Sequence, residues 1–329
     1  MKWKNKNVLI TGAGGFVGSH LAEHLVFLGA NVKAFVRYNS RNDYGQLEYL
    51  PKNTLSKITV IAGDLRDQDA VRDVVEDSDI IFHLGSLIAI PYSYIHPIEV
   101  IETNILGTTN VLIAAKNNNV EKIIHTSTSE VYGTARYVPI DEKHPLQGQS
   151  PYSASKIGAD MIATSFQKSY NLPIAIIRPF NTYGPRQSSR AIIPTIITQA
   201  LTRNVIRLGS THPTRDFTFI SDTIEGFVRI AEEKKSIGEL INIGSSFEIS
   251  IDDLAEKILT LLRSNAKIEI DKERIRPKFS EVERLYADCT KAKNLLNWKP
   301  HVKLNEGLKR TIKWISENIE RYKVDTYMI

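Results

Sequence analysis

Tyr152 and Lys156 stand four residues apart, and Thr128-Ser129-Glu130 lies a short distance before them. On a helix, positions i and i+4 share a face, so the phenol and the amine meet. Free tyrosine ionises near pH ~10 and is a poor base at neutral pH. A neighbouring ammonium, together with a positive nicotinamide ring, favours the phenolate. Tyr152 can then take a hydroxyl proton as hydride leaves the same carbon. Thr128 can hydrogen-bond that hydroxyl. Glu130 can remove a proton alpha to the ketone so made, general-base work worth roughly 10²–10⁴ in rate. That glutamate separates a simple dehydrogenase or epimerase from an enzyme that also breaks a bond in its substrate.

Hydride chemistry needs a carrier, and the chain opens on one candidate cradle. Gly12-x-x-Gly15-x-x-Gly18 follows an apolar run and begins an amphipathic one. Glycines permit the tight turn and the close approach of backbone N–H groups to a pyrophosphate, which sits at the positive end of the helix. Gly12, Gly15, Phe16, Val17 and Gly18 are the expected cofactor contacts. At the end of the second strand no acid stands ready for a ribose 2′-OH. Arg37 is there instead, with Asn39, Ser40 and Arg41 close by as donors for a 2′-phosphate. This favours NADP over NAD.

These groups must be held by a scaffold, and its pattern is regular. Short apolar runs at 8–11, 32–36, 58–62, 80–83, 123–127 and 174–178 alternate with helical stretches at 16–28, 98–116 and 151–170. Continuous apolar strands between helices predict a doubly wound, Rossmann-type parallel sheet covered on both faces. Its chemistry sits beyond the carboxyl ends of the strands, which is where 126–133 emerges. After about residue 180 the pattern loosens, with short strands at 205–208 and 240–243 and helices at 251–262 and 304–319. The expectation is an α/β fold of two parts. Residues 1–180 form the dinucleotide domain, with about 216–245 returning to it. Residues 181–329 form a smaller, mostly C-terminal α/β domain for the substrate.

Composition narrows the class further. Of 329 residues, 42% are hydrophobic and 24% charged, ordinary for a water-soluble globular chain. The net charge of +5 is small, and no basic run carries interleaved aromatics, so nucleic acid is not the expected partner. The single cysteine, Cys289, allows no intrachain disulfide and fits a reducing cytoplasm. The apolar run after Met1-Lys2-Trp3-Lys4 is too short for a signal peptide, and none approaches a membrane span. The eight histidines show no ligand spacing, and no metal is expected.

Taken together, the glycine turn, the Tyr-x-x-x-Lys pair and Thr-Ser-Glu resemble the extended short-chain dehydrogenase/reductase superfamily over essentially the whole chain. The resemblance implies further contacts. Asp64 and Leu65 of Gly63-Asp64-Leu65 face the adenine, and Leu84 of Phe82-His83-Leu84-Gly85 runs along the cofactor. Asn104 lies in an Asn-x-x-Gly-Thr helix. Arg178-Pro179-Phe180-Asn181-Thr182-Tyr183-Gly184-Pro185-Arg186 resembles the nucleotide-sugar branch, where Asn181 faces the diphosphate. Arg190, Arg215, Arg276 and Glu281 would complete the nucleotide-sugar clamp.

The triplet narrows the branch. Glucose-type 4,6-dehydratases carry Thr-Asp-Glu, so Ser129 departs from them, whereas GDP-mannose 4,6-dehydratases show Thr-Ser-Glu. The chain looks closest to dehydratases of nucleotide-linked N-acetylglucosamine on routes to nonulosonic acids. UDP-glucuronate decarboxylases carry the same triplet, and 4-epimerases and 5,6-dehydratases share the scaffold. A cofactor-sensing binding protein is the non-enzyme alternative, and it would need none of Tyr152, Lys156 and Glu130. The resemblance implies a UDP- or GDP-sugar substrate, a tightly bound and recycled nicotinamide cofactor, and a homodimer through 98–116 and 151–170.

Overall fold

A computed structural model describes residues 3–322; the first two residues and 323–329 lie outside the described part. Seven parallel strands form the main sheet. In chain order its first six are β1 (Asn7–Thr11), β2 (Asn31–Arg37), β3 (Ile58–Gly63), β4 (Ile80–His83), β5 (Lys122–Thr126) and β6 (Ile174–Pro179). The remaining strands of the chain are β7 (Asn181–Tyr183), β8 (Val205–Leu208), β9 (Thr214–Phe219), β10 (Leu240–Ile243), β11 (Glu248–Ser250) and β12 (Lys267–Ile270). The order across the main sheet is β10-β6-β5-β4-β1-β2-β3. The winding therefore reverses between β1 and β4, and a cleft opens there beyond their carboxyl ends.

The central strands of this sheet are buried, as their unbroken apolar composition requires, while the edge strand β3 is partly exposed. One hydrophobic cluster covers the face that holds Leu9, Ile81 and Ile123; the other covers the face that holds Val8, Ile10 and Phe82. After Pro179 the chain leaves the sheet and builds two small ones, β11-β9-β7 and β12-β8. It returns in between as β10, which pairs in parallel with β6 from Leu240↔Ile176 to Ile243↔Pro179. The strand Thr214–Phe219 belongs to the small sheet, and the helix that follows it, Ile220–Glu232, packs back against β5 and β6.

Two helices carry the site. Phe16–Phe27 starts at Gly15 with no side-chain cap, which leaves its first N–H groups for a ligand. Pro151–Tyr170 starts with a reciprocal cap: Ser150 Oγ accepts from the Ser153 N–H (3.1 Å) while Ser153 Oγ accepts from the Ser150 N–H (2.9 Å). Proline at its first position and the left-handed Asn171 at its end complete the boundary signals. The sequence pattern reads 98–116 as one α-helix. The structure has instead an α-helical turn at Pro97–Ile101, a wide π-helical turn at Glu102–Leu106 and an α-helix at Gly107–Asn117. The wide turn aims Asn104 inward, where it accepts from the Leu87 N–H (2.8 Å) and donates to Leu87 O (3.0 Å) and to Ser155 Oγ (2.9 Å).

Candidate active site

A cleft of about 750 Å³ runs over the carboxyl ends of β1, β2 and β4. Gly12, Gly15, Phe16, Val17, Gly18, Arg37, Asn39, Asp64, Leu65 and Leu84 all line it. Ser40 is absent from the lining. The glycines are required by contact. Gly12 has φ +70°, and a Cβ on it would sit 2.8 Å from the Gly85 backbone. A Cβ at Gly18 would sit 2.3 Å from Gly12 O. The turn is thus pressed against both the strand-four segment and its own helix.

Whether a dinucleotide suits this cleft can be asked of its unpaired groups. The uncapped N–H groups of Phe16–Phe27 border it. The hydroxyls of Ser86 and Thr126, both in its lining, are buried with no hydrogen-bond partner. Buried polar groups are rarely left so. A long ligand with a diphosphate midway and an amide at one end fits those groups. At the far end, Arg37 pairs with Glu99 (3.0 Å) and Arg41 with Asp43 (2.9 Å).

The segment after β5 links this cleft to a second one. Thr126 lines the first; Glu130 lines the second, of about 280 Å³, together with Asn181, Arg190, Arg215, Arg276 and Glu281. All five expected substrate contacts therefore meet in one place, with the candidate base among them. Arg215 is buried and donates to Glu281 Oε1 (3.2 Å), which Arg276 also approaches (3.5 Å). Sequence reading missed Arg207, Arg274 and Gln187 in the same lining.

Thr128, Ser129, Tyr152 and Lys156 are not in the lining of either cleft. Thr128 Oγ1 accepts from the Glu130 N–H (3.3 Å), capping the turn Ser129–Tyr132, and also hydrogen-bonds the Tyr152 phenol. Lys156 Nζ donates to Thr126 O (2.6 Å). Ser129 is only 3% exposed. The protein's own groups raise the Tyr152 phenol above its ordinary value rather than lowering it. Burial does most of this, the Thr128 hydrogen bond opposes it, and the Glu130 and Asp160 charges add to it. Burial also lowers the Lys156 amine to about 8, against the attraction of Asp160. The sequence expectation of a phenolate favoured by a neighbouring ammonium is therefore not met by the side chains alone, because burial dominates the phenol and the nearby charges that act on it are negative.

One more layer was invisible to motif reading. Asp160, one turn beyond Lys156 on the same helix, is fully buried. It accepts from Ser127 Oγ (2.6 Å) and Arg178 Nη2 (2.7 Å) and contacts His125 Nε2 (3.1 Å). Burial would push its carboxyl up, but the His125 hydrogen bond and the Arg178 charge overcome this and hold it well below the carboxylate range. The signal was available: Tyr152, Lys156 and Asp160 recur every fourth residue, which puts an acid on the buried face.

Nicotinamide-scale cleft, Tyr/Lys helix and doubly wound sheet together define an extended short-chain dehydrogenase/reductase. More narrowly, residues 9–311 match the family described as GDP-mannose 4,6 dehydratase, and the chain belongs to that family.

Similar proteins catalyse different reactions. A UDP-N-acetyl-alpha-D-glucosaminuronate decarboxylase of Bacillus cytotoxicus is 34% identical, over 95% of this chain and 98% of its own. The human dTDP-D-glucose 4,6-dehydratase is 31% identical, over 97% of this chain and 92% of its own. The structure of a UDP-glucuronic acid 4-epimerase variant from Bacillus cereus, in complex with UDP-4-deoxy-4-fluoro-glucuronic acid and NAD, superposes with a TM-score of 0.87. It is 30% identical and covers 95% of this chain and 99% of its own. Among the described residues, no helix is long and apolar enough to cross a membrane.

Proposed function

We propose that this chain is a nucleotide-sugar 4,6-dehydratase acting on UDP-N-acetylglucosamine to give a UDP-4-keto-6-deoxy sugar. The observation that carries the reading is Glu130, a carboxylate in the lining of the second cleft whose charge reaches the Tyr152 phenol and the Arg215 guanidinium. A bound nicotinamide, held by the glycine turn and the first cleft, would supply the hydride acceptor and donor. Tyr152, hydrogen-bonded by Thr128, takes the C4 hydroxyl proton. The 4-ketone acidifies C5, and Glu130 removes that proton. Of the two candidates for protonating the departing C6 hydroxyl, Ser129 and Glu130, the burial of Ser129 outside the cleft lining supports Glu130. Arg190, Arg215 and Arg276 hold the diphosphate, with Asn181 beside them.

Cofactor retention follows from a cycle in which the hydride returns. NAD in the B. cereus epimerase supports a nicotinamide cofactor here. The preference for NADP rests on Arg37, Asn39 and Ser40. Arg37 and its neighbour Arg41 each already have an acid partner, and Ser40 lies outside the lining, which weakens a 2′-phosphate site. Pairing through the helices at 98–116 and 151–170 would cover Ile98, Ile101, Leu106 and Met161, all exposed on one chain.

A second reading has support: Arg215 and Arg276 beside Glu130 are the cations that a decarboxylase needs near a C6 carboxylate. Incubating the purified chain with UDP-N-acetylglucosamine, UDP-glucose and UDP-glucuronate and weighing the products separates the readings. Loss of water supports the dehydratase; loss of carbon dioxide or an unchanged mass refutes it. Glu130→Gln keeps the first oxidation, seen as reduced nicotinamide absorbance, and stops water loss by roughly 10²-fold or more.

A further inference from the structure

Gln187 lines the second cleft and has no part in the proposed chemistry. Gln187 lies on the loop after β7, and its Nε2 donates to Thr182 O (2.8 Å). That bond fixes the amide orientation, so the other end of the group is an acceptor. This acceptor, Gln187 Oε1, is buried and has no partner. Asn181 Oδ1, in the same lining, is likewise buried and unpaired. The arginines of this cleft carry donors alone, and they suit phosphate oxygens. The two amide oxygens do the opposite: they call for a donor. A diphosphate supplies none, whereas a neutral hexose supplies hydroxyl O–H groups and, if acetamido-substituted, an amide N–H.

We infer that Gln187 is a specificity-determining residue whose Oε1 accepts a hydrogen bond from an O–H or N–H group of the hexose. The inference rests on the second cleft being the nucleotide-sugar site, not on which reaction follows. Leaving a buried acceptor unmatched is the penalty by which such sites reject ligands that lack the donor. Gln187 therefore acts on the sugar half of the ligand, and the arginines on the nucleotide half.

The test is binding without turnover. In a Tyr152→Phe background with NAD bound, calorimetry measures UDP, UDP-glucose and UDP-N-acetylglucosamine against Gln187, Gln187→Met and Gln187→Glu. Methionine keeps the length and removes the acceptor. Glutamate keeps an acceptor and alters the bond to Thr182 O. The expected result is unchanged UDP affinity in both variants. Binding of at least one UDP-sugar falls about tenfold or more with Gln187→Met and stays within about threefold of the parent with Gln187→Glu. A loss confined to UDP-N-acetylglucosamine identifies the acetamido N–H as the donor, and a loss for both sugars identifies a hydroxyl. Equal losses in both variants, or a parallel loss of UDP, reduce Gln187 to a strut for Thr182 and overturn the inference. So does a methionine variant with wild-type affinities throughout. Products formed by the Tyr152 enzyme report separately on the dehydratase reading.

Discussion

Replacing Asp160 with asparagine removes one negative charge from a place where no water can compensate. Arg178 is 1% exposed, and its Nη2 lies 2.7 Å from the Asp160 carboxylate. In Asp160→Asn the guanidinium stays charged and buried with only a neutral amide opposite. Breaking a buried ion pair from one side costs about 3–5 kcal/mol. A chain of 329 residues unfolds with an entropy of roughly 0.7 kcal/mol per degree, so the melting point falls by about 4–7 °C. Ser127→Ala removes only a neutral donor at 2.6 Å and serves as the control, costing about 0.5–1.5 kcal/mol. Urea denaturation with matched slopes reads the difference.

A purely structural role for Asp160 would stop at stability. Its charge also supports the Lys156 ammonium, which burial has already brought to about 8. Without that charge Lys156 loses its proton at lower pH, so the alkaline limb of the rate profile moves down. A variant within about 1 kcal/mol of wild type, with an unmoved alkaline limb, refutes the reasoning.

Two further outcomes are expected beside those for Glu130 and Gln187. The Lys156 amine titrates near 8 in the fold against 10.5 when unfolded, so the unfolded chain holds more protons between those values. Stability therefore rises with pH across that window, by about 3 kcal/mol from this group, and Lys156→Met flattens the rise. Lys122, which burial also brings to about 8, contributes equally in both proteins, so the difference between their denaturation curves isolates Lys156. Gly18→Ala forces a methyl against Gly12 O and the Ala13 backbone, neither of which can swing aside. It should cost about 1–3 kcal/mol in urea denaturation and weaken NAD binding; unchanged values for both would show that the turn can relax.

Strand periodicity, the glycine spacing and the four-residue step from Tyr152 to Lys156 were legible because each is a local rule. The parallel sheet follows from unbroken apolar runs, and the strands and helices read from the pattern appear within a few residues of their expected bounds, save 98–116, which is broken by a wide turn. The convergence of Asn181, Arg190, Arg215, Arg276 and Glu281 on one cleft came only from resemblance, because nothing in their spacing encodes it. The wide turn at Glu102–Leu106 escaped because apolar periodicity does not register one extra residue. The sign of the Tyr152 shift escaped for another reason: motif logic counts neighbours, whereas burial depends on everything packed around the pair. Gln187 carries no signal at all until its amide is seen to have one satisfied end and one bare one.

The extra residue in the turn at Glu102–Leu106 is a local bulge on which one buried amide, Asn104, depends. Deleting a single residue there would restore ordinary α-helical winding and leave the later side chains in phase, but it would remove the widening that turns Asn104 inward. Asn104 would rotate off Leu87 and Ser155, and the scaffold around the reacting groups would lose its tie to the neighbouring helix.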